Sequence, residues 1–319
     1  MNKQQLMGGL LGVIVGDALG LPVQFASRQE LKLKPVKDMK GWGVSNMPSG
    51  SFSDDGSLTL CLAESLTEVG LNPEDAAQRF LRWYNEGYWT PTGFAYDIGR
   101  STARAMENLN NGVAALEAGP SEVMDNGNGS LMRILPAALY LAGETPAELA
   151  LGIWDMSRIT HGHPLACSAC YLYALMVREL LTGVDPREAY AKLCTLPEEV
   201  LAAGIAPGER QHFARILEGK LYELPEEKIK STGYVIDTLE AALWCLLLYN
   251  DFASTILAAV NLGDDTDTVA AVSGGLAGIV YCLEGIPEGW RQQLIRRDEI
   301  LVLAERFADK VIGCSKLSG

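Results

Sequence analysis

Residues 261–275 read NLGDDTDTVAAVSGG, an acidic cluster that runs directly into an apolar segment. The segment 268–283 would be apolar nearly all round as a helix, and it is rich in Gly, Ala and Ser. Such helices belong at the centre of a layered bundle, where small side chains let two backbones approach closely. Residues 8–18 have the same character. These two segments therefore predict the core of an all-α fold.

Most of the remaining chain also has the periodicity of helices. Eight further segments carry apolar residues at three- and four-residue spacing, and many open at Pro, Asp or Ser and stop at Gly. These segments are 57–69, 73–88, 95–110, 146–159, 164–183, 186–194, 233–249 and 298–313. No segment alternates polar and apolar residues over a sustained run, so a large sheet is not expected.

The length of 319 residues would by itself suggest about two domains. However, no Ser/Gly-rich or Pro-rich linker divides the chain. The polar segments 28–52 and 217–232 are short enough to be surface loops. We therefore predict a single all-α domain over residues 1–319.

Composition excludes several classes of function. A net charge of −14 disfavours binding to a nucleic-acid backbone, which needs a basic surface. The odd number of seven cysteines, set among apolar residues, is typical of reduced thiols in a cytoplasmic protein. The apolar stretch Val269–Leu283 is short for a membrane span, and the N-terminal stretch has the weak basic region of a non-secreted protein. We expect a cytoplasmic location without a membrane.

A second acidic cluster, Ser53-Asp54-Asp55, precedes the predicted helix at 57–69. Taken alone, it has two interpretations. Ser53 or Asp54 can be an ordinary N-cap, with the acidic residues complementing the helix dipole. The alternative is half of a metal site.

The cluster at 264–268 favours the metal. One cap needs one acceptor, whereas several acidic groups entering a core helix repel each other unless a cation neutralises them. The available ligands are all oxygen atoms, from Ser53, Asp54, Asp55, Asp265, Asp267 and Thr268. Such a set selects Mg²⁺, Mn²⁺ or Ca²⁺ rather than zinc or copper, and two clusters can hold two ions about 3.5–4 Å apart.

Three other segments are candidates for the same site. DNGNGSLMR (125–133) is either a nest of N–H groups for a phosphate or a plain turn before a helix. GDALGLPVQF (16–25) interrupts a buried helix with Asp17 and ends at Gln24 and Phe25. His161 in THGHP (160–164) is either a ligand or a loop or capping residue. For Arg133 a structural salt bridge is favoured over a phosphate contact.

Taken together, these stretches resemble the ADP-ribosylglycohydrolase family nearly end to end. The motifs are GDALGLPVQF, SDD before a helix, YDIG, GNGSLMR, THGHP, GYVIDTLEAALWCLL and NLGDDTDTVAAVSGGLAGIVY. The last is the most specific, because Gly-x-Asp-x-Asp-Thr before a Gly-rich helix is hard to reach by chance. The resemblance implies a compact all-α fold with a binuclear metal cleft.

The resemblance also implies roles for residues of this chain. Two Mg²⁺ or Mn²⁺ ions would be held by Ser53, Asp54, Asp55, Asp265, Asp267 and Thr268. Catalysis would involve Asp54, Asp55, Asp97 and Gln24, and substrate binding would involve Asp17, Gly127, Asn128, Gly129, Ser130 and His161. The implied reaction is hydrolysis of the bond at C1″ of ADP-ribose, which passes through an oxocarbenium-like state. The partner would be an ADP-ribosylated protein or a small molecule that contains ADP-ribose.

Two residues depart from the family pattern. Gln24 stands where many members have a glutamate, and glutamine cannot act as an acid or base. Gly56 stands where Thr or Ser usually follows the paired aspartates. They motivate the alternative of a catalytically weak or inactive ADP-ribose-binding homologue. A terpenoid synthase is disfavoured because DDxxD and a basic diphosphate site are absent from the sequence. The acceptor released stays open.

Overall fold

The computed structural model describes residues 1–315, which form seventeen α-helices and no β-strand. The helices are α1 (Lys3–Gly20), α2 (Arg28–Leu33), α3 (Asp54–Glu68), α4 (Pro73–Glu86), α5 (Arg100–Asn110), α6 (Ala115–Ala118), α7 (Leu135–Tyr140), α8 (Pro146–Arg158), α9 (Pro164–Leu181), α10 (Pro186–Cys194), α11 (Glu198–Ala202), α12 (Ala214–Leu217), α13 (Val235–Leu248), α14 (Phe252–Asn261), α15 (Thr266–Gly285), α16 (Glu288–Gln293) and α17 (Arg297–Ser315). The all-α prediction is confirmed.

The helices α1 and α15 pack against each other at the centre. They run antiparallel, and glycines line their contact: a Cβ at Gly12 would collide with the carbonyl of Gly274, and one at Gly16 with the carbonyl of Ala270. The absence of side chains here lets the two backbones touch. The small residues of the two apolar segments thus have the role that their composition predicts. The contact also brings the end of α1 against the start of α15.

Most predicted helices are present, with small shifts at their ends. The segment 186–194 matches α10. Four helices open with Pro at the first position, where its missing N–H costs no hydrogen bond. The clearest difference is α5, which begins at Arg100 rather than residue 95. Asp97 adopts a positive φ of 57°, which a right-handed helix cannot contain.

Three helical stretches are long and apolar enough to cross a membrane by length and composition alone. They are Lys3–Val23, Pro164–Leu181 and Thr266–Gly285, and most of each is buried inside the protein. The stretch Val269–Leu283, predicted to be too short for a membrane span, is part of α15, which extends beyond it at both ends. The single-domain organisation stays a prediction.

Candidate active site

The start of α3 is held by its own serine. The Ser53 hydroxyl accepts the N–H of Asp55 at 3.2 Å, and it donates to Asp55 Oδ2 at 3.0 Å. Ser53 is therefore the N-cap of α3. Asp54 and Asp55 occupy the first turn, and both are buried. The cap interpretation is correct for Ser53, but it leaves two buried carboxylates that no cap requires.

Asp17, near the end of α1, anchors the backbone around this pair. Its carboxylate is fully buried and accepts the N–H of Ser53, at 3.0 and 2.9 Å to its two oxygens, and the N–H of Gly56 at 2.8 Å. A Cβ at position 56 would lie 2.7 Å from Phe52 Cδ2 and 3.1 Å from Asp17 Oδ2. Gly56 therefore permits the close approach of Asp17 to the first turn of α3.

The start of α15 supplies the second group of oxygens. Asp265 precedes the helix, and its Oδ2 accepts a hydrogen bond from Asn128 Nδ2 at 2.7 Å. Asp267 Oδ1 accepts the N–H of Thr268 at 3.0 Å. The Thr268 hydroxyl donates to Asp55 Oδ2 at 3.4 Å, so the two helix starts are in contact. Asp264, by contrast, has an exposed side chain.

Burial and mutual repulsion raise the pKa values of these carboxyl groups. Burial is the largest cause for all of them. It raises the pKa of Asp17 to about 7 although two backbone N–H groups oppose the shift. The pKa values of Asp54, Asp55 and Asp267 are raised well above their ordinary range by burial and by neighbouring carboxylates. Like charges held this close favour either bound protons or a bound cation.

A cavity of about 390 Å³ opens beside the two helix starts. The predicted site residues that line it are Gln24, Asp54, Asp55, Asp97, Gly127, Asn128, Gly129, His161, Asp265 and Thr268. The predicted residues that do not line it are Asp17, Ser53, Ser130 and Asp267. Ser53 and Asp267 hydrogen-bond to the lining residues Asp55 and Thr268, whereas Asp17 bonds to the backbone of Ser53 and Gly56. Ser130 is separate, because its buried hydroxyl pairs with Ser157 and Cys170.

Gln24 and Asp97 meet at the edge of the carboxylate cluster. Gln24 Nε2 donates to Asp97 Oδ2 at 2.8 Å. Asp97 lies in the loop before α5, and its positive φ is uncommon for a residue other than glycine. The hydrogen bond fixes one carboxylate oxygen of Asp97, and within residues 1–315 the other oxygen, Oδ1, has no hydrogen-bond partner.

The loop Gly127–Ser130 reaches the cavity, but Asn128 has a different role from the one its sequence suggests. The Asn128 N–H donates to the carbonyl of Gly233 at 3.1 Å, so it is not free for a phosphate. Its side chain instead donates to Thr238 Oγ1 at 2.8 Å and to Asp265. Asn128 therefore orients a carboxylate of the site. Gly129 lies against His161, since a Cβ there would sit 2.7 Å from His161 Cε1.

His161 is neutral, and a short chain of hydrogen bonds holds its ring. Burial, and then the charge of Arg133, lowers the pKa of His161 to about 3. Arg133 Nη2 donates to Thr160 Oγ1 at 2.6 Å, and that hydroxyl lies 3.0 Å from His161 Nδ1. The hydroxyl accepts from Arg133, and its contact with Nδ1 ties the buried imidazole to Arg133 through Thr160. His161 thus lines the cavity as a neutral ring held by Thr160.

The expectation of a salt bridge for Arg133 was wrong. Its guanidinium is fully buried over the Phe80 ring at 4.7 Å, and no carboxylate pairs with it among residues 1–315. Burial lowers the pKa of Arg133 to about 10. Its Nη2 also donates to the carbonyl of Met156 at 3.0 Å. His163, the other histidine of THGHP, is the N-cap of α9.

The start of α5 is a part of the site that the sequence reading missed. Gly99, Arg100, Ser101 and Thr102 all line the cavity, and no side chain caps this helix. Thr102 is 1% exposed, and its buried Oγ1 has no hydrogen-bond partner in the described residues. The motif YDIG pointed to Asp97 only. A glycine N-cap followed by Ser and Thr was the available signal for the rest.

The donor chemistry of the cluster suits a hard divalent cation. All of its ligands are oxygen atoms, and Asp55 Oδ1 and Asp267 Oδ2 are buried without hydrogen-bond partners. An orphaned buried carboxylate oxygen is costly unless a cation neutralises it. Within residues 1–315, no group of three or more His, Cys, Asp or Glu side chains forms a ready-made metal site. The residues fit a cation, and the binuclear cleft stays a prediction.

Comparisons with known proteins identify the family. The family model described as ADP-ribosylglycohydrolase matches residues 2–316. The ADP-ribosylarginine hydrolase Tri1 of Pseudomonas putida (strain GB-1) is 33% identical over 311 residues, which cover 95% of this chain and 77% of that protein. The ADP-ribosyl-dinitrogen reductase glycohydrolase of Rhodospirillum rubrum is 31% identical over 312 residues, covering 93% and 96%. A solved structure of an ADP-ribosylglycohydrolase-related protein complex has a TM-score of 0.80 and 35% identity, covering 97% of this chain and 98% of that one.

The fold, the acidic cleft and these matches together identify the class of protein as a helical glycohydrolase. The chain belongs to the ADP-ribosylglycohydrolase family, and it is an enzyme of the ADP-ribosyl glycohydrolase class.

Proposed function

We propose that this chain hydrolyses the bond between C1″ of ADP-ribose and an arginine side chain of a protein, with Mg²⁺ or Mn²⁺ as cofactor. One observation carries the proposal. Carboxylates from the starts of α3 and α15, more than 200 residues apart, share one cavity with Asp97 and the Gly127–Gly129 loop. The relatives that act on ADP-ribosylarginine and on ADP-ribosyl-dinitrogen reductase support the substrate class.

Six residues would hold two ions: Ser53, Asp54, Asp55, Asp265, Asp267 and Thr268. When bound, such ions neutralise the carboxylates and lower the pKa of a coordinated water towards neutrality. The chain itself prepares the site. Asp17 fixes the backbone that carries Asp54 and Asp55, and Asn128 orients Asp265.

Cleavage at C1″ builds positive charge on the ribose ring, which nearby carboxylates stabilise. Asp54, Asp55 and Asp97 line the cavity and are placed for this role. Gln24 holds Asp97 by one oxygen, so Asp97 Oδ1 is the atom available to accept a proton. Gln24 itself orients Asp97 and transfers no proton.

A second part of the cavity lining suits the phosphates of ADP-ribose. The uncapped start of α5 offers backbone N–H groups, and the unpartnered hydroxyl of Thr102 adds a donor. Neutral His161 adds an imidazole ring that can hydrogen-bond to a phosphate. Arg100 is the one basic side chain among the residues that line the cavity. Anion-binding groups thus share the cavity with the metal-binding carboxylates.

Asp97 lines the cavity and is not one of the six proposed metal ligands, so its carboxylate suits a cationic acceptor. A guanidinium group is permanently charged and pairs well with carboxylates. Arginine therefore fits this cleft better than a neutral serine or nucleobase acceptor. The buried free thiols of Cys61, Cys167 and Cys170 support a cytoplasmic location for the reaction.

The test is the release of free ADP-ribose from ADP-ribosylarginine in the presence of Mg²⁺. ADP-ribosylserine and an ADP-ribosylated nucleoside serve as matched alternative substrates. We expect release from the arginine conjugate and much slower release from the others. Tight binding of ADP-ribose with no release from any conjugate would instead identify a non-catalytic binder, the alternative that Gln24 and Gly56 motivate.

A further inference from the structure

Phe25 lines the active-site cavity, yet it is 72% exposed. Within residues 1–315, no other aromatic ring stacks against its ring and no guanidinium group lies over it. A single exposed apolar side chain is ordinary on a protein surface. The unusual feature of Phe25 is the backbone conformation that holds its ring at the cavity.

That conformation is strained. Phe25 has a φ of 64°, in the left-handed region that bulky side chains rarely adopt, and Asp264 has a φ of 58°. Two hydrogen bonds join these segments: the Phe25 N–H donates to the carbonyl of Asp264 at 2.6 Å, and the Asp264 N–H donates to the carbonyl of Ala26 at 2.9 Å. Such strain persists only where the surrounding structure imposes it, and it is found most often at functional sites.

The surrounding backbone, rather than the Phe25 ring, fixes this corner. Gly263 approaches the next segment so closely that a Cβ there would lie 2.5 Å from the backbone nitrogen of Arg28. The Arg28 guanidinium donates to the carbonyls of Leu262, Glu226 and Ile229 at 2.6–2.7 Å. These contacts hold three chain segments together. Because the exposed ring adds little packing here, the strained conformation has one evident result, which is to present the ring at the cavity.

Phe25 adjoins the residues assigned to cleavage. Its neighbour Gln24 donates to Asp97 Oδ2 at 2.8 Å, and its hydrogen-bonded partner Asp264 directly precedes the proposed metal ligand Asp265. Consecutive Cα atoms are about 3.8 Å apart, so both neighbours keep Phe25 close to this group of carboxylates. The ring therefore borders the place where the bond at C1″ would be broken.

Two carboxylates near Phe25 are outside the proposed metal site. Asp97 lines the cavity, and Asp264 is exposed and forms no ion pair in the part of the chain that the structure describes. An aromatic face beside carboxylates is a favourable place for a guanidinium group, which is planar and permanently charged. The protein uses the same pairing internally, since the Arg82 guanidinium lies 3.7 Å over the Tyr88 ring.

We propose that Phe25 is a specificity-determining residue whose ring receives the guanidinium group of the acceptor arginine, the group bonded to C1″. This inference rests on the proposed function for the identity of the acceptor. The attraction between the cation and the ring increases when substrate excludes water from the cavity. A neutral serine acceptor gains no such attraction. Because the ring contacts the acceptor, its removal weakens binding of the conjugate and leaves binding of the product ADP-ribose unchanged.

The experiment uses three variants of Phe25 and one control. Phe25→Leu removes the aromatic face, Phe25→Tyr keeps it, and Phe25→Gly removes the side chain and relieves the positive φ. The control is Trp42→Leu, because Trp42 is 61% exposed and has a φ of 72° but does not line the active-site cavity. The measurements are kcat and KM for ADP-ribosylarginine, the Kd of ADP-ribose by calorimetry, and the midpoint of urea unfolding.

We expect Phe25→Leu to lower kcat/KM by about five- to thirtyfold, mainly through a higher KM. Phe25→Tyr and Trp42→Leu should keep the wild-type value, and the Kd of ADP-ribose should not change in any variant. Phe25→Gly should lose as much kcat/KM as Phe25→Leu although its urea midpoint is no lower than that of the wild type, because glycine adopts a positive φ without strain.

Four results would overturn the inference and leave the proposed function intact. They are an unchanged kcat/KM in Phe25→Leu, an equal loss in Phe25→Tyr or Trp42→Leu, a matching loss of affinity for ADP-ribose, and a lower urea midpoint in Phe25→Gly. The last would show that the ring serves the packing of the protein.

Failure of the proposed function gives a different result. If the wild type hydrolyses no ADP-ribosylarginine, the proposed function fails, and calorimetry with the intact conjugate then tests Phe25 by itself. Weaker binding of the conjugate by Phe25→Leu, with unchanged affinity for ADP-ribose, would support the inference. Equal binding of the conjugate by Phe25→Leu and the wild type would overturn it.

Discussion

Gln24 Nε2 donates a hydrogen bond to Asp97 Oδ2 at 2.8 Å. This contact joins the segment after α1 to the loop before α5 at the edge of a cluster of buried carboxylates. A glutamate at position 24 would present a second negative oxygen to Asp97 at the same place. The amide instead supplies a neutral donor, so Gln24 matches Asp97 in this chain rather than marking a lost catalytic acid.

Gln24→Glu tests this pairing. Two carboxylates at hydrogen-bond distance share one proton instead of both ionising. We expect kcat at pH 7 to fall by roughly tenfold, equivalent to about one pKa unit of repulsion. The measurement is kcat for ADP-ribosylarginine between pH 5 and 9, with Gln24→Met as the uncharged control. A glutamate variant faster than the wild type across this range would show that Gln24 is a defect.

Gly56→Thr restores the hydroxyl that the family usually has after the paired aspartates. Its Cβ would lie 2.7 Å from Phe52 Cδ2, so we expect a loss of about 1–3 kcal/mol in the free energy of unfolding and no gain in kcat. Urea unfolding measures the stability. The variants Gly56→Ala, Phe52→Leu and their combination form a double-mutant cycle with the wild type. In this cycle Phe52→Leu should relieve part of the destabilisation that Gly56→Ala causes. A fully stable and faster Gly56→Thr enzyme would refute this explanation.

Asp17→Asn tests whether a buried carboxylate positions the first turn of α3. The amide NH₂ would face a backbone donor, the N–H of Ser53 or Gly56, and leave it unsatisfied. We expect a destabilisation of about 1–3 kcal/mol. We also expect Mg²⁺ affinity to fall about tenfold by calorimetry, because Asp54 and Asp55 lose their fixed backbone. Asp309→Asn, on the exposed face of α17, is the matched control. Unchanged affinity in a folded Asp17→Asn variant would remove the positioning role.

The protonation of His161 makes the free energy of unfolding depend on pH, and the direction of this dependence can be stated. Its pKa in the folded protein is lowered to about 3 by burial, against 6.5 when unfolded, so only the unfolded chain gains the proton between these values. The stability from neutral His161 is present above pH 6.5 and is lost as the pH falls towards 3. Between pH 7 and pH 5 this loss is about 2 kcal/mol.

The measurement is the difference in unfolding free energy between wild type and His161→Gln at pH 7 and pH 5. The difference should shrink by about 2 kcal/mol at the lower pH. Taking the difference between wild type and variant cancels the contribution of the buried carboxylates to the free energy of unfolding. That contribution has the opposite pH dependence, because their raised pKa values make the folded protein more stable as the pH falls. A difference independent of pH would mean that His161 is not held neutral by burial.

The helices could be predicted because their signals are local. Apolar periodicity and proline at the first position located α4, α8, α9 and α10 to within two residues. The small residues of α1 and α15 predicted that both lie at the centre. The start of α5 could not be placed by periodicity, because Tyr96 and Ile98 continue the apolar spacing while the backbone at Asp97 turns left-handed.

The parts of the site that could be predicted are the residues whose burial costs free energy unless a partner or a cation compensates for their charge. Buried aspartates at two helix starts implied a shared function, and the structure brings Asp55 and Thr268 within 3.4 Å. The roles of Asn128 and Arg133 were not predictable, since each depends on a partner distant in sequence: Asn128 on Asp265 and Thr238, and Arg133 on Thr160. The role of Thr102 was not predictable either, because the lack of a hydrogen-bond partner for its hydroxyl among the described residues depends on how the folded chain packs around it.

The proposed hydrolase depends on a metal, and its site is divided between the starts of α3 and α15. Release of ADP-ribose from ADP-ribosylarginine by wild type and Asp267→Asn, each with Mg²⁺ or with EDTA, tests it most directly. We predict release by the wild type with Mg²⁺ only, and a loss of about 100-fold in Asp267→Asn. Equal release in EDTA, or by a folded Asp267→Asn variant, would contradict the claim.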